Sequence, residues 1–268
     1  MDSFEDILQG MEEPLKSRLL SMRQSSSTRS PTEPIQKKSS RFECHICEDR
    51  EVIPTGERNT FRPCSCVEAK RARRIIDNSG ISEGFRSKTI NGYEPITQEQ
   101  RTARSMCADY VRRFAEVEKS SSNSMALLGN PGSGKTHLTI AIANALLQQG
   151  IEVRYMQYRE AMTVLMQIRY DEEAYARAMA PWKNCRVLLL DDLLKGAVRR
   201  DGSLGQEGVI LFEILNHRYL GRKPILVSSE LTMDRMVDLD EAIGSRIAEM
   251  AKGRTVQFIG RQHNYRMR

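Results

Sequence analysis

The apolar positions of the chain form two patterns that alternate along its second half. Short apolar-rich runs predict strands, and they cover residues 125–128, 151–158, 187–190, 224–229 and 254–259. Apolar residues at helical spacing predict helices over residues 137–149, 159–180, 209–220 and 231–250. An earlier helix is predicted over residues 97–119, with Thr97 as its N-cap. Strands that alternate with helices predict an α/β fold, in which helices cover both faces of a parallel sheet.

The first part of the chain lacks this alternation and divides by composition. Residues 1–22 space their apolar positions as one or two amphipathic helices, which could dock on a partner. Residues 23–40 are rich in Ser, Pro and charge, which predicts a flexible linker. Residues 41–75 contain a cysteine cluster, and residues 76–120 form a connecting segment that ends in a helix. The strand–helix core then spans residues 121–268.

Charge and composition exclude only broad classes of function. The 268 residues carry a net charge of +6, which favours anionic partners such as nucleic acid. No apolar run approaches the ~18 residues of a membrane span. The acidic N-terminus also lacks the basic and apolar regions of a secretory signal. These features predict a cytoplasmic protein without a membrane partner.

One segment predicts a phosphate-binding loop. It matches the P-loop pattern G-x-x-x-x-G-K-[ST], and its residues are Gly129, Asn130, Pro131, Gly132, Ser133, Gly134, Lys135 and Thr136, with His137 next in the helix. Glycines allow the backbone to turn several N–H groups towards one anion. Lys135 supplies a positive charge for the β- and γ-phosphates, and the Thr136 hydroxyl can ligate Mg²⁺. The predicted strand before the loop and helix after it are the context that this motif requires.

A second motif predicts the acidic half of the same site. The apolar run Val187 to Leu190 ends in Asp191 and Asp192, as a Walker B strand does. The carboxyl ends of parallel strands meet at the edge where open α/β sheets bind ligands. We therefore expect Asp191 to hold Mg²⁺, directly or through water, and Asp192 to orient the attacking water. Because aspartate is one methylene shorter than glutamate, we expect slow hydrolysis.

Four of the six cysteines predict a metal site. Cys44 and Cys47 are spaced C-x₂-C, Cys64 and Cys66 are spaced C-x-C, and 16 residues separate the pairs. Four thiolates can enclose one Zn²⁺, and such a closed site is structural because no coordination position remains for a substrate. Residues 54–56 offer the turn of a hairpin between the pairs. Free or redox-active thiols are the alternative interpretation.

The order of the motifs resembles a known family. After the P-loop and the Asp-Asp strand come Pro224 to Glu230 (PILVSSE), Gly244-Ser245-Arg246-Ile247 and Asn264-Tyr265-Arg266. This order resembles the AAA+ helicase loaders of the DnaC/DnaI type, and the IstB-type transposition helper ATPases are similar. The cysteine segment ahead of the core resembles the DnaI-like branch in particular. The resemblance covers roughly residues 41–268, and it implies an AAA+ P-loop NTPase preceded by a small zinc-binding module.

The resemblance also implies an activity. Such a protein would be an ATPase that uses ATP, Mg²⁺ and Zn²⁺, and that loads a DnaB-type replicative helicase onto single-stranded DNA when DNA replication begins. Arg246 matches the arginine finger, which reaches the nucleotide of a neighbouring subunit, so hydrolysis would depend on self-association through the ATP sites. Arg266 matches the sensor-2 arginine. Glu230 stands at the sensor-1 position, where relatives commonly have Asn, and a carboxylate there would repel a γ-phosphate unless a cation, a water or Mg²⁺ binds it. Ser229 is the alternative residue for that role.

Three other functions remain open on the sequence. An IstB-type transposition helper would bind duplex DNA and direct a transposase. A P-loop kinase would use an arginine-bearing lid, for which residues 194–208 with Arg199 and Arg200 are candidates, but it would leave Arg246 and Arg266 without a role. A zinc adaptor would keep the nucleotide site only for its structure. Asp192 and Glu230 keep this last interpretation open, because both depart from the patterns of the most active ATPases.

Overall fold

The computed structural model of the protein describes residues 42–56 and 59–267. The predicted docking helix at residues 1–22 and the predicted linker at residues 23–40 lie outside the described residues, so both stay predictions. Among the described residues, no helix is both long and apolar enough to cross a membrane.

A small antiparallel hairpin follows the first pair of cysteines. Its strands are β1 (Val52–Pro54) and β2 (Phe61–Pro63), with Ile53 opposite Arg62. The predicted turn at residues 54–56 overlaps β1 at Pro54, and its other two residues, Thr55 and Gly56, follow that strand. Helix α1 (Cys66–Asp77) begins at the last of the four clustered cysteines and contains the basic run from Lys70 to Arg74, which therefore lies on a helix.

Ten helices lie in the described residues. After α1 they are α2 (Glu83–Arg86), α3 (Gln98–Arg112), α4 (Phe114–Val117), α5 (Lys135–Gln148), α6 (Tyr158–Ile168), α7 (Glu172–Asn184), α8 (Gly205–Leu220), α9 (Met233–Leu239) and α10 (Glu241–Met250).

The central sheet has five parallel strands in the order β4-β5-β6-β3-β7. Their bounds are β3 (Met125–Gly129), β4 (Val153–Gln157), β5 (Val187–Asp191), β6 (Ile225–Ser229) and β7 (Thr255–Phe258). All residues of β3, β5 and β6 are buried. The α/β class, with a parallel sheet and helices on both faces, is therefore confirmed.

The two faces of the sheet bury two separate sets of side chains. Ala126 and Leu128 of β3 pack with residues of α6, α7, α8 and α10. Met125 and Leu127 of the same strand pack with residues of α3 and α5. Successive side chains of a strand point to opposite faces, and each fully buried leucine stabilises the fold by about 1.5–3 kcal/mol. The sheet is thus a hydrophobic layer covered on both sides.

A buried arginine binds backbone carbonyl groups near the starts of two strands. Arg218 of α8 is fully buried. Its guanidinium donates to the carbonyl oxygens of Trp182 (2.8 Å), Cys185 (3.1 Å) and Pro224 (2.7 Å), which lie next to the starts of β5 and β6. Burial lowers the pKa of Arg218, because the charged form loses its hydration. The carbonyl groups replace the water that this cation would otherwise bind.

Three predicted helices differ clearly from the structure, and one of them, at residues 231–250, is divided at Asp240 into α9 and α10. Helix α8 begins at Gly205 rather than at residue 209, so the predicted loop at residues 194–208 is shorter. The hydroxyl of Tyr158 donates to Glu207 in the first turn of α8 (3.3 Å), a long-range contact that local sequence does not reveal. The predicted helix at residues 97–119 is interrupted at Arg113, whose ψ of 14° leaves the helical range, and only α4 follows it. Its start is confirmed, because Thr97 forms a capping box with Gln100.

Candidate functional site

The P-loop joins β3 to α5 in a backbone path that depends on glycine. Gly132 and Gly134 have φ values of 77° and 85°, in the left-handed region. A Cβ atom at Gly132 would collide with the side chain of Asn264, and one at Gly134 would collide with the ring of Tyr93. Both positions therefore need glycine for conformation and for space.

Lys135, the first residue of α5, is buried beneath this loop. Its Nζ donates to the carbonyl oxygens of Gly129 and Asn130, each at 2.7 Å. Burial lowers the pKa of Lys135 to about 8, while the carboxylates of Glu230, Asp192 and Asp191 oppose the shift. The loop's own carbonyls therefore hold the ammonium next to the turn whose N–H groups would surround a phosphate.

Residues from the connecting segment and from the end of the chain fix the outside of the P-loop. The hydroxyl of Tyr93 donates to the carbonyl of Ser133 (2.7 Å). Gln100 Nε2 donates to the carbonyls of Ser133 (3.4 Å) and His263 (3.0 Å). Sequence reasoning missed Tyr93, which has no local signal. It also missed Gln100, for which the spacing of a capping box with Thr97 is the available local signal.

The predicted Asn264-Tyr265-Arg266 motif lies against the same loop. The backbone N–H of Tyr265 donates to the carbonyl of Gly132 (3.0 Å), and its ring meets that of Tyr93 at a centroid distance of 5.8 Å. Arg266 is exposed in the turn that follows. His137, in the first turn of α5, faces the connecting segment instead, where its Nε2 lies 2.9 Å from the carbonyl oxygen of Thr89.

The acidic half of the site is centred on Asp191, at the end of β5. The Thr136 hydroxyl donates to one oxygen of this buried carboxylate (2.9 Å), and Ser228 donates to the same oxygen. The Tyr155 hydroxyl donates to the other oxygen (3.0 Å), and burial together with the charge of Asp191 raises the pKa of Tyr155. The hydroxyl of Thr136 and the carboxylate of Asp191 are oxygen ligands of the kind that Mg²⁺ prefers.

Asp192 and Glu230 share a cation. Lys195 Nζ lies 3.0 Å from Asp192 Oδ2 and 3.0 Å from Glu230 Oε1. A cation thus binds the carboxylate of Glu230, at the predicted sensor-1 position. Such a cation is one of the conditions under which a glutamate there would not repel a γ-phosphate. Sequence reasoning missed Lys195, because within the predicted loop at residues 194–208 it singled out only Arg199 and Arg200.

The two serines of β6 point to different surroundings. Ser228 donates to Asp191 and accepts from the backbone N–H of Asp192 (3.0 Å). The hydroxyl of Ser229 donates to the carbonyl of Leu193 (2.6 Å) and accepts from the N–H of Leu231 (3.2 Å). Ser229, the alternative to Glu230 at the sensor-1 position, is therefore engaged with backbone groups, and it is Ser228 that contacts the Walker B carboxylate.

Arg246 of α10 lies against α8. Its guanidinium donates to Asn216 Oδ1 (3.2 Å) and to the carbonyl of Ala242 (2.8 Å). It also lies over the rings of Phe212 (4.8 Å to the centroid) and Tyr219 (5.4 Å). None of these partners belongs to the P-loop of the same chain.

The four predicted metal-ligating cysteines come together. The Sγ atoms of Cys44, Cys47, Cys64 and Cys66 all lie within 4.8 Å of one another. Two of them, Cys47 and Cys64, are buried, whereas His45 is exposed. Four thiols at such mutual distances suit one tetrahedral Zn²⁺. Cys107 and Cys185 are buried elsewhere in the core, where burial raises the pKa of both thiols.

Comparisons with known proteins show what the chain is similar to. The model of the IstB-like ATP binding protein family matches residues 69–247. The phage-like element PBSX protein XkdC of Bacillus subtilis (strain 168) is 33% identical over 222 residues, which cover 81% of this chain and 82% of XkdC. The replicative helicase loader DnaC of Escherichia coli (strain K12) is 25% identical over 202 residues, 75% of this chain and 78% of DnaC.

Solved structures share the fold. The DnaC helicase loader matches with a TM-score of 0.56 and 20% identity, over 66% of this chain and 100% of that one. DnaI matches with a TM-score of 0.55 and 21% identity, over 67% and 95%. The replication initiator DnaA, bound to AMPPCP and single-stranded DNA, matches with a TM-score of 0.51 and 20% identity over 64% of this chain, which spans about half (49%) of that chain. The AAA+ fold expected from the motif order is thereby confirmed.

Proposed function

This chain belongs to the family of IstB-like ATP-binding proteins, and we propose that within this family it acts as an ATP-dependent helicase loader. In this proposal it binds a DnaB-type replicative helicase and single-stranded DNA when DNA replication begins. The observation that carries the proposal is the pairing of Thr136 with Asp191 beside the buried Lys135, in a chain similar to a named helicase loader.

The proposed nucleotide chemistry divides between the loop and the strand ends. Lys135 would bind the β- and γ-phosphates, together with backbone N–H groups of the P-loop, to which Pro131 contributes none. Thr136 and Asp191 would hold Mg²⁺, which would supply positive charge to neutralise the phosphates. Asp192 would orient the attacking water, and its shorter side chain is the reason to expect slow turnover. His137 faces Thr89, so a contribution to nucleotide binding would come from the side of the connecting segment.

The N-terminal part of the chain would bind the helicase. We assign residues 41–75 to a structural zinc module and residues 1–22 to a docking helix, joined by the linker at residues 23–40. Residues 76–120 would connect them to the ATPase core at residues 121–268. The four thiols support the zinc assignment, because a closed site stabilises a small module but leaves no position for chemistry.

A cationic cleft supports binding of a nucleic acid. Arg101, Arg113, Lys252 and Arg254 line one cleft between α3 and the turn before β7, together with a single acidic residue, Asp109. Clustered Lys and Arg residues bind phosphates independently of sequence. We assign the backbone of single-stranded DNA to this cleft, which runs along α3 to the turn before β7.

Hydrolysis would require two copies of the chain. The contacts of Arg246 with α8 leave it on a surface from which it could reach the nucleotide of a second copy, as an arginine finger. Arg266 would act near the phosphates of its own subunit, because the turn before it contacts Gly132. We expect Arg246→Ala to preserve ATP affinity but to lower the turnover of the assembled protein by about 10³-fold. Equal turnover of variant and wild type at high protein concentration would contradict the finger.

The deciding experiment mixes the protein with the DnaB-type helicase of its host and measures complex formation and ATPase rate, with and without single-stranded DNA. We expect a stable complex that is lost when residues 1–75 are removed, and a hydrolysis rate that changes when helicase or DNA is added. Absence of a complex in all nucleotide states would contradict the loader function.

A transposition helper ATPase is the second candidate function, and the match to the IstB-like family model favours it. Such a protein would bind duplex DNA in place of a helicase. Hydrolysis that is stimulated by duplex DNA, without any helicase complex, would support this alternative over the loader.

A further inference from the structure

Lys195 links the ends of two neighbouring strands through their acidic residues. Its ammonium lies 3.0 Å from carboxylate oxygens of both Asp192, which follows β5, and Glu230, which follows β6. All three side chains are partly exposed, at 49%, 37% and 36%. An isolated ion pair with this exposure contributes little to stability. The position of the cluster, rather than its strength, suggests its role.

The strand register locates Glu230 beside the phosphate-binding loop. Ser229, the last residue of β6, pairs with Leu128 of β3, so Glu230 comes level with Gly129, where the P-loop begins. Among the charged neighbours of Lys135, Glu230 is the one that most opposes the lowering of its pKa. A carboxylate close enough to act on the phosphate-binding lysine would also act on a phosphate bound to that lysine.

The charge balance of the site depends on Lys195. Asp191, Asp192 and Glu230 bring three negative charges to one edge of the sheet, and Lys135 and Lys195 are the cations that lie among them. Without Lys195, Glu230 would face the terminal phosphate as an uncompensated like charge, and like charges in close contact repel strongly in a partly buried site. A diphosphate would be affected less, because it lacks the γ-phosphate.

The backbone holds Lys195 in this position. Asp192 and Leu194 adopt left-handed φ values of 52° and 63°, which non-glycine residues rarely do. The N–H of Lys195 donates to the carbonyl of Asp192 (3.1 Å), and the N–H of Asp192 donates to Ser228 Oγ (3.0 Å). A tight turn, strained but hydrogen-bonded, thus directs Lys195 back over the strand ends. Residues kept in such conformations concentrate at functional sites.

We propose that Lys195 is a positioning residue of the nucleotide site, which neutralises Glu230 and holds it beside Asp192 so that the site accepts a γ-phosphate and distinguishes ATP from ADP. The inference rests on the proposed nucleotide binding. It explains how a glutamate can occupy the sensor-1 position without repelling the nucleotide. Lys195 acts through the two carboxylates and does not itself carry out chemistry.

The test compares the affinities for a Mg²⁺-bound non-hydrolysable ATP analogue and for Mg²⁺-ADP, measured by titration calorimetry at constant ionic strength. We expect Lys195→Met to weaken binding of the ATP analogue by about tenfold and binding of ADP by less than about twofold. Glu230→Gln alone is expected to strengthen binding of the ATP analogue, because it removes a negative charge from beside the terminal phosphate. The double variant is expected to return to within about threefold of the wild type.

Lys119→Met is the matched control, since Lys119 is an exposed lysine after α4. It is expected to leave the ratio of the two affinities unchanged. Equal losses for both nucleotides in Lys195→Met, or a double variant no better than Lys195→Met, would overturn the inference while leaving nucleotide binding intact. A wild-type protein that binds neither nucleotide would instead overturn the proposed function, and this inference with it.

Discussion

The cysteine segment and the core differ in how many side chains they bury. Among the described residues of 42–66, the buried ones are Cys47 and Cys64. In the core, every residue of β3, β5 and β6 is buried. Phe61 and Val52, the large apolar residues of the hairpin, are 61% and 41% exposed. The core is thus stabilised by apolar burial, while the module buries too little to fold in that way and has four thiols instead. A metal ion is the natural substitute for a core of this size.

Removing the metal should produce the largest difference between the two regions. Structural Zn²⁺ contributes about 10–16 kcal/mol in small modules, so we expect a chelator to release about one Zn²⁺ per chain and to unfold residues 41–75 selectively. Hydrogen exchange should show loss of protection there, with the thermal midpoint of the core unchanged. Cys64→Ser should reproduce the effect, and Cys107→Ala, outside the thiol group, should keep the metal. Metal-free protein with a protected hairpin would contradict the comparison.

The core should be destabilised by the loss of a buried contact rather than by the loss of a metal ion. Arg218→Met leaves several buried carbonyl groups without their donor, at about 1–3 kcal/mol each, and the relief of burying a charge offsets part of this. We therefore expect the free energy of unfolding to fall by about 3 kcal/mol. Urea denaturation measures it.

Lys223→Met is the matched control for Arg218→Met. Lys223 Nζ contacts the carbonyls of Lys183 (3.3 Å) and Asn184 (3.4 Å) in the same region. Because these contacts are long and partly exposed, we expect a loss below about 1 kcal/mol. Similar losses for both variants would mean that the buried contacts of Arg218 do not specifically stabilise the starts of β5 and β6.

Lys135→Ala should separate binding from stability within the core. Charge-assisted hydrogen bonds contribute about 1.5–3 kcal/mol, so we expect ATP affinity to fall by about a hundredfold. The unfolding midpoint should stay the same or rise, since burial of this cation is unfavourable, as its lowered pKa indicates. Calorimetric titration and thermal denaturation measure the two quantities. Normal ATP affinity in the variant would contradict the phosphate-binding role.

The smallest expected effect is a pH dependence of ATP binding. The pKa of Lys135 is lowered by burial from 10.5 to about 8, and a bound phosphate should raise it again. Between about pH 8 and 10.5, ATP binding is coupled to the uptake of one proton by Lys135. The affinity for ATP should therefore fall as the pH rises, by at most about tenfold per pH unit. In the same window the core should become slightly more stable with rising pH, since the unfolded chain holds the proton that the folded chain has lost.

Lys135→Arg controls for other titrating groups. Arginine remains charged throughout this range, so the affinity of the variant should not follow pH between about 8 and 10.5. The same slope in Lys135→Arg and wild type would assign the pH dependence to another residue.

Sequence patterns determined the elements and the chemistry that depends on residues close together in the chain. The P-loop, the Walker B strand and the C-x₂-C pair are local, because phosphate cradles, buried strands and metal knuckles are built from a few consecutive residues. One predicted boundary differed from the structure where a long-range contact intervened. Helix α8 starts four residues early, at Gly205 instead of residue 209, and Tyr158 contacts its first turn.

Only the tertiary structure decided which distant residues meet. Tyr93 and Tyr265 contact the P-loop although they are 172 positions apart in the chain. Lys195 neutralises Glu230 because β5 and β6 are adjacent and parallel, so the residues beyond their carboxyl ends come together. A carboxylate that looked unfavourable in the sequence is compensated by a cation 35 positions away. Charge pairs of this kind depend on strand order and register, which short-range patterns do not specify.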